Sequence, residues 1–584
     1  MRNAVFILGL ALFLTPSLTS GQEQEYFMYL QHEQELPESI QKNYHLIPGD
    51  SISLLGKITQ LHHDLLARGY LAASIDTFYF SADTLKVNLY PGKPYYLGKV
   101  DYNSLDQKIR EQFTDSKPLK QEGIFPLAKL MELKENILTA FENSGYPFAS
   151  VNFEPVHFED SIIHLHINTF KNDYYFIDSI LIKGEAKISP SYVYRSIQIQ
   201  PGDAFNQKRI HAIDRQIRNL SFLSVIKPTE VEFKEKSADL YLYLKKQPAN
   251  TFHGIIGFYP ENETTGKLLI TGDLNLNLVN SFGRGEELSL QWEKLESSTQ
   301  KLNLGLGYPY LFNTNLGVDA DFELYKKDTL YLSLHTGIGL QLFLDGEKSL
   351  RGYYRYKNSS RIGNSQPGIN PNLADIQSNL FGLSFRWMHL DYPFNPRKGV
   401  SLNIFGGAGF KNINNLQNIA DSLQTNPENQ WIELDAGLDF DIYHPVYQQF
   451  IFHFSNTTRY LDQLSGGDQE ALFFENELYR FGGTRSLRGF DENMLSASIY
   501  SIQNIELRYL FEQNSAFYLF WNGAYYYKNV IREVTEDFPW GVGIGADFET
   551  RAGIFTISYA LGKQFDNPLE IRSAKIHFGY VSRF

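Results

Sequence analysis

Beyond Ala249 the chain alternates apolar and polar residues with little interruption, and that pattern restricts the fold more than any other feature it has. Asp273-Leu274-Asn275-Leu276-Asn277-Leu278 and Glu287-Leu288-Ser289-Leu290-Gln291-Trp292 carry it. So do Asp319-Ala320-Asp321-Phe322-Glu323-Leu324 and Phe450-Ile451-Phe452-His453-Phe454-Ser455. Period two places successive side chains on opposite faces of a strand, so each segment has one apolar and one polar face. A soluble sandwich and a transmembrane barrel both satisfy that pattern. The sorting of the loops separates them.

Sixteen strand centres fall near residues 256, 274, 290, 305, 320, 336, 353, 384, 405, 437, 453, 505, 521, 545, 557 and 578. Long gaps follow odd strands: Asn358–Gln377, Asn412–Asn429, Leu461–Ser498 and Asn529–Pro539. Gaps after even strands are mostly short: Ser281–Arg284, Asp345–Glu347, His444–Pro445, Glu512–Asn514 and Thr550–Arg551. A sandwich has no reason to sort its loops by parity, whereas an outer-membrane barrel keeps long loops on one side and tight turns on the other. Each strand with its connection takes about 21 residues, enough for a spanning segment of 9–11 and a turn. Residues 249–584 therefore predict a sixteen-stranded transmembrane β-barrel. The mean hydropathy of −0.31 excludes a polytopic helical membrane protein, since barrel strands hide a polar residue behind each apolar one. Aromatics at 15%, with 44 Phe and 37 Tyr against 5 Trp, suit a lipid-facing belt and its interfacial girdles.

Met1-Arg2-Asn3, the apolar run Ala4–Leu14 and the small and polar residues through Gly21 read as a signal peptide, 1–21, cleaved near Gly21–Gln22. Its run of about 11 apolar residues is too short to span a bilayer. The chain has no cysteine, which excludes a disulfide scaffold, a Cys-ligated zinc site, an iron–sulfur cluster and a lipidated N-terminal cysteine. A net charge of −13 argues against a general nucleic-acid binder.

The front half repeats at about 75 residues, long enough for small α+β domains. An amphipathic helix over Ser53–Arg68 leads into Gly69-Tyr70-Leu71-Ala72-Ala73-Ser74-Ile75 and the strand Thr84–Tyr90. A helix over Leu127–Asn143 leads into Gly145-Tyr146-Pro147-Phe148-Ala149-Ser150-Val151 and the strand Ile162–Ile167. A third helix, Gln207–Leu220, precedes Phe222–Ile226 and Ala238–Leu244. Strands Tyr95–Tyr102 and Phe176–Lys183 open the second and third units; Gln31–Leu46 has no clean period. In each Gly-Tyr junction the glycine ends a helix in a left-handed cap and the aromatic tucks under the sheet. This order resembles the POTRA domain, a periplasmic β-α-α-β-β module, and gives modules over 22–93, 94–171 and 172–248.

The longest outer loop, the sixth, contains Phe481-Gly482-Gly483-Thr484-Arg485-Ser486-Leu487-Arg488-Gly489-Phe490. With three modules and sixteen strands, it resembles the BamA/TamA branch of the outer-membrane assembly and translocation superfamily across essentially the whole mature chain. Arg488-Gly489-Phe490 is the most specific element. The resemblance implies that this loop folds into the barrel and that Arg488 contacts inward-facing acidic residues. Glu506 matches the family's acidic position, and Asn504, Glu506 and Arg508 share one face opposite Ile505 and Leu507. Asn522 stands where relatives often carry aspartate, so the expected arrangement is an Arg488–Glu506 pair with Asn522 accepting a hydrogen bond. Phe584 ends the closing strand as in outer-membrane proteins, although Ser582 occupies a slot that is usually apolar. Asp391-Tyr392-Pro393-Phe394-Asn395-Pro396-Arg397-Lys398-Gly399 is a further family-like block, read as a structural inner turn.

Other motifs carry less. His62-His63 lacks an acidic ligand at metal spacing. Gly541-x-Gly543-x-Gly545 has no following helix to hold a phosphate. Asp439 and Asp441 read as solvated lumenal charges. No nucleophile–base constellation stands out, so an enzyme and a cofactor are not expected. The resemblance implies a protein of the Gram-negative outer membrane with periplasmic modules. It would insert or translocate unfolded outer-membrane or secreted client proteins, working with outer-membrane lipid and with periplasmic or lipoprotein accessory subunits. A two-partner-secretion-type pore and a passive porin or receptor barrel are the alternatives.

Overall fold

The computed structural model describes residues 26–114, 124–125, 127–260, 268–294, 299–362, 372–414, 430–464, 473–484, 486–531, 533–550 and 553–584. The signal segment expected over 1–21 lies outside them. The described residues fall into two compact units, one reaching Tyr175 with the short return 205–207, the other holding 176–204 and everything from Lys208.

The first unit contains two modules of the same order. Strand Tyr26–Gln31, helices Glu38–Tyr44 and Ser51–Ala67, and the hairpin Ser74–Ser81/Thr84–Tyr90 build one, with a short strand at Ile47–Gly49. The opening strand runs parallel to the last. Helix Ser51–Ala67 starts where the Asp50 carboxylate accepts from Ile52 N and Ser53 N, both at 2.9 Å. Just past its end, Gly69 takes φ +82°. Its buried stripe, Leu54, Ile58, Leu61 and Leu65, packs on Met28, Leu30, Leu85 and Val87. Gln31–Leu46 has no single period because it holds a strand end and a separate short helix. In the second module, strand Tyr96–Asp101 pairs in parallel with Ile162–Phe170 and Ser150–Glu159 completes the hairpin. Ile137 and Phe141 of helix Leu127–Glu142 pack on Val151 and Ile167. Gly145 repeats the left-handed position at φ +95°.

The second unit opens with strand Phe176–Lys183, helices Pro190–Ile197 and Gln207–Arg218, and the hairpin Leu223–Phe233/Ser237–Lys246. It continues into a closed barrel from Thr251–Pro260 to Lys575–Arg583. The barrel has sixteen strands, and each of the sixteen centres read from the alternation lies within one. No helix among the described residues is long and apolar enough to cross a membrane.

Strand 14 is broken. Glu533–Asp537 and Trp540–Glu549 both pair with strand 13, Ala516–Val530. Phe538-Pro539 separates them, since proline has no N–H for the ladder. Asn529–Pro539, expected as a long outer loop, is therefore mostly ladder, a correction that alternation could not supply across a proline. Strand length is uneven. Strand 3, Glu287–Lys294, has 8 residues, whereas strands 8 to 10, Asp375–Leu390, Gly399–Asn414 and Gln430–Tyr447, have 16, 16 and 18.

The small domain next to the barrel docks on its near-end turns. The barrel turns approach closely because they lack side chains there: a Cβ on Gly285 would collide with the Tyr192 ring, and one on Gly346 with Ser196 O. Tyr192 meets Tyr310 edge-on at 5.3 Å. Glu347 accepts from Arg215 Nε at 2.6 Å, and its other oxygen lies 2.7 Å from His389 Nδ1.

Candidate functional site

Two features of the barrel stand apart from its regular wall: the line where it closes and the loop folded into its lumen. Neighbouring strands elsewhere share seven to sixteen register pairs. The first and last share two, Thr251↔Arg583 and Phe252↔Ser582. Phe584 adds a bond from its N to Asn250 O at 3.1 Å, and its ring is exposed. From His253 to Pro260 and from Lys575 to Val581, the facing edges make no ladder with each other among the described residues. Among the described residues the seam is thus fastened at the end where the chain enters the barrel.

The sixth loop follows strand 11, Phe450–Leu464, and precedes strand 12, Ile499–Leu510. Within it Tyr479–Phe481 pairs with Leu495–Ala497, a hairpin that carries Arg488 at its turn. The Arg488 guanidinium reaches the lumenal faces of strands 12 and 13. Nε donates to Asn522 Oδ1 at 2.9 Å; Nη2 donates to Glu506 Oε1 at 2.7 Å and Asn504 Oδ1 at 2.5 Å. Its carbon lies 3.6 Å from the centre of the Phe520 ring. The planar fork meets three acceptors and a ring face at once, which an ammonium cannot do.

Gly489 has φ +95° and presses its backbone onto Gly562 of strand 15, Ile554–Lys563. A Cβ on Gly541 would fall 2.3 Å from Arg488 O. Gly543 and Gly545 leave room for the rings of Phe520 and Tyr518, their cross-strand partners. The Gly541-x-Gly543-x-Gly545 run thus clears one lumenal face for the loop and for the rings behind the two arginines. Phe490 is buried with Phe481, Leu487, Tyr500, Ile502 and Tyr526.

Alternation locates Glu506 but not the rest of its surroundings. Arg508 Nη1 donates to Glu506 Oε2 at 2.8 Å, and its Nη2 donates to Asp547 at 2.9 Å and Asn395 Oδ1 at 3.3 Å. His453 lies 3.4 Å from Glu506 and 3.1 Å from Asp441, stacked on Tyr443 at 4.2 Å. Asn395 comes from the inner turn read as structural. That turn is held by Asp391 Oδ1, which accepts from Arg397 N and Lys398 N at 3.0 and 3.2 Å. It also supplies a lumenal contact that no local spacing announces. Asp439 and Asp441, expected as solvated, are paired: Asp439 with Arg459 at 2.8 Å and Asp441 with His453. Period two gives the face of a residue, not its partner on another strand.

Residues 280–584 match the Omp85 superfamily domain. Residues 175–247 match the POTRA family, described as a surface antigen variable number repeat. The outer membrane protein assembly factor BamA of Nitratidesulfovibrio vulgaris is 23% identical over 210 residues, 34% of this chain and 25% of that protein. The match thus spans about a quarter of that relative's length. Solved structures of CdiB from Escherichia coli and from Acinetobacter baumannii share the fold. Each has a TM-score of 0.51 and covers 94% of this chain and 100% of its own, at 14% and 13% identity.

Proposed function

The chain belongs to the Omp85 superfamily, and from that premise we propose that it inserts or translocates client proteins at the outer membrane by capturing their strands at the barrel seam. Its POTRA-like modules, 22–93, 94–171 and 172–248, stand in the periplasm. The observation that carries the reading is the pair of nearly free strand edges. Backbone groups that lack a neighbour accept an incoming strand, as exposed sheet edges do elsewhere. Two register pairs and the Phe584 bond hold the native seam, at roughly 0.5–1.5 kcal/mol net per hydrogen bond, about what one client strand regains with its first contacts. Exchange of native for client pairing then needs no energy cofactor. The Arg488 network braces strands 12 to 15 beside the seam, so that opening is confined to the line between first and last strands. Clients are unfolded outer-membrane or secreted proteins, met first by the modules, with outer-membrane lipid and periplasmic or lipoprotein subunits as further partners.

A second reading, a secretion pore that passes the client through the lumen, draws support from two polar lumenal cavities of about 550 and 410 Å³. One experiment separates them. The natural chain has no cysteine, so Phe252→Cys with Ser582→Cys, a register pair of the seam, gives a clean oxidisable lock. Oxidation should stop client insertion and reduction restore it. Unimpaired client handling with the seam locked would sink seam capture and favour the pore.

A further inference from the structure

A cavity of about 280 Å³ lies where the third module meets the inner turns of the barrel. Ser189 and Ser191 of the module line it, with Arg284, Tyr308, Tyr310 and Phe312 of the barrel. Strand 4, Gln300–Tyr308, sets its depth in the membrane. Asn303 faces the lumen, bonded to Gln291 at 3.2 Å, so Leu302, Leu304, Leu306 and Tyr308 face lipid. Tyr308 ends that apolar ladder at the inner interface. Arg284 Nη1 donates to the Tyr308 hydroxyl at 2.9 Å, which brings the guanidinium to headgroup level. Among the described residues no carboxylate accepts from it. Glu286, two residues on, is taken up by the N–H groups of Phe282 and, at 3.1 Å, of Arg284. The Ser189 and Ser191 hydroxyls lie 2.8 Å apart; one donates to the other, which leaves one O–H for a ligand.

The turn after strand 4 is held in a costly form. Tyr310, Phe312 and Asn313 take φ +53°, +52° and +58°, the left-handed region that bulky residues avoid. Phe312 is left 86% exposed, and on the preceding inner turn Phe282 is 77% exposed. Strain that holds an apolar ring away from the protein serves a contact outside it. At this level in a membrane, such rings enter the interface as aromatic anchors do. A cation and two hydroxyls at the head of an apolar ladder therefore fit a lipid better than a soluble anion. We propose that the cavity holds the phosphate of an inner-leaflet phospholipid, with Arg284 and the Ser189–Ser191 pair as donors and the acyl chains along Leu306, Leu304 and Phe312. The arginine fork suits phosphate, and its remaining N–H groups are free to bond it. Because the donors come from both the third module and the barrel, the bound lipid clamps one to the other. This site is independent of how clients enter at the seam.

The test is native mass spectrometry of the delipidated full chain in mild detergent. It is titrated with dioleoylphosphatidylglycerol, with dioleoylglycerol, which lacks the phosphate, or with inorganic phosphate. One phospholipid should bind ahead of the non-specific background, and neither of the other two should. Arg284→Gln with Ser191→Ala should weaken that first binding by about tenfold or more, as expected for lost charge-assisted bonds. Arg397→Gln, at another inner turn, should leave it unchanged. Hydrogen exchange in helix Pro190–Ile197 should slow when the phospholipid is added to wild type, and stay as it was in the double variant. Heat-dependent mobility on semi-native gels shows that each variant is folded. Equal first affinity in wild type and the folded double variant would overturn the proposal. So would equal binding of dioleoylglycerol, binding of inorganic phosphate alone, or exchange in that helix that the phospholipid does not alter.

Discussion

Arg488 shows how much one guanidinium can coordinate. It bonds Asn522, Asn504 and Glu506 and lies over Phe520. Lysine keeps the charge but offers a single donor centre, and it lacks the flat face. Arg488→Lys is therefore expected to retain the Glu506 pair and lose the Asn522 bond. The stability loss should be smaller than that of Arg488→Ala, where Glu506 is left with one fewer cation and keeps Arg508. Denaturant midpoints of the folded barrel, with protease cleavage of the sixth loop as a local probe, measure both. Similar midpoints for Lys and Ala would show that the charge-assisted bonds to Glu506 add nothing. The facing glycine at 541 belongs to the same unit of design, because any side chain there meets the Arg488 carbonyl.

At the scale of elements, the turns below the barrel matter as much as its strands. Glu347 holds Arg215 on one oxygen and His389 on the other. Arg215 is partly exposed, so the pair contributes at most about 1 kcal/mol. Glu347→Ala should speed hydrogen exchange locally, in helix Gln207–Arg218 and the turn at 345–347, with an unchanged global melt. A shift of the whole melting curve would show that the turn supports the barrel itself. How much of an element the sequence reveals depends on what fixes it. Alternation placed every barrel strand because burial against lipid repeats along each one. The inward face of Glu506 was legible for the same local reason, whereas the Arg488-Gly489-Phe490 turn was singled out only by its resemblance to a family motif. The break at Phe538-Pro539 was not, because the ladder resumes on the same neighbour after the proline. Nor were Asn395, His453 and Lys411 visible as parts of the lumenal network. Their partners, Arg508, Glu506 and Glu477, lie on other strands or in the loop; pairing register sets His453 opposite Glu506, and the folds of the inner turn and the loop bring the others together.

For the molecule as a whole, the division into two compact units has a direct test. The second unit, from Phe176 onward, has its own sheet, helices and closed barrel. A chain lacking residues 22–171 is expected to fold into a barrel of native stability, seen as heat-dependent mobility on semi-native gels. Loss of the folded band would show that the first two modules are needed for barrel formation. The seam sets a further limit on how such a chain reaches its final shape. Thr251 and Arg583 lie at opposite ends of the barrel sequence, so their pairing closes the longest loop in the domain. Closure entropy and contact order make such pairings late and slow. With only two register pairs to reward that step, ring closure is the least favoured event of folding and the easiest to reverse, so the slow final step of self-assembly and the proposed working step on a client cross the same low ridge.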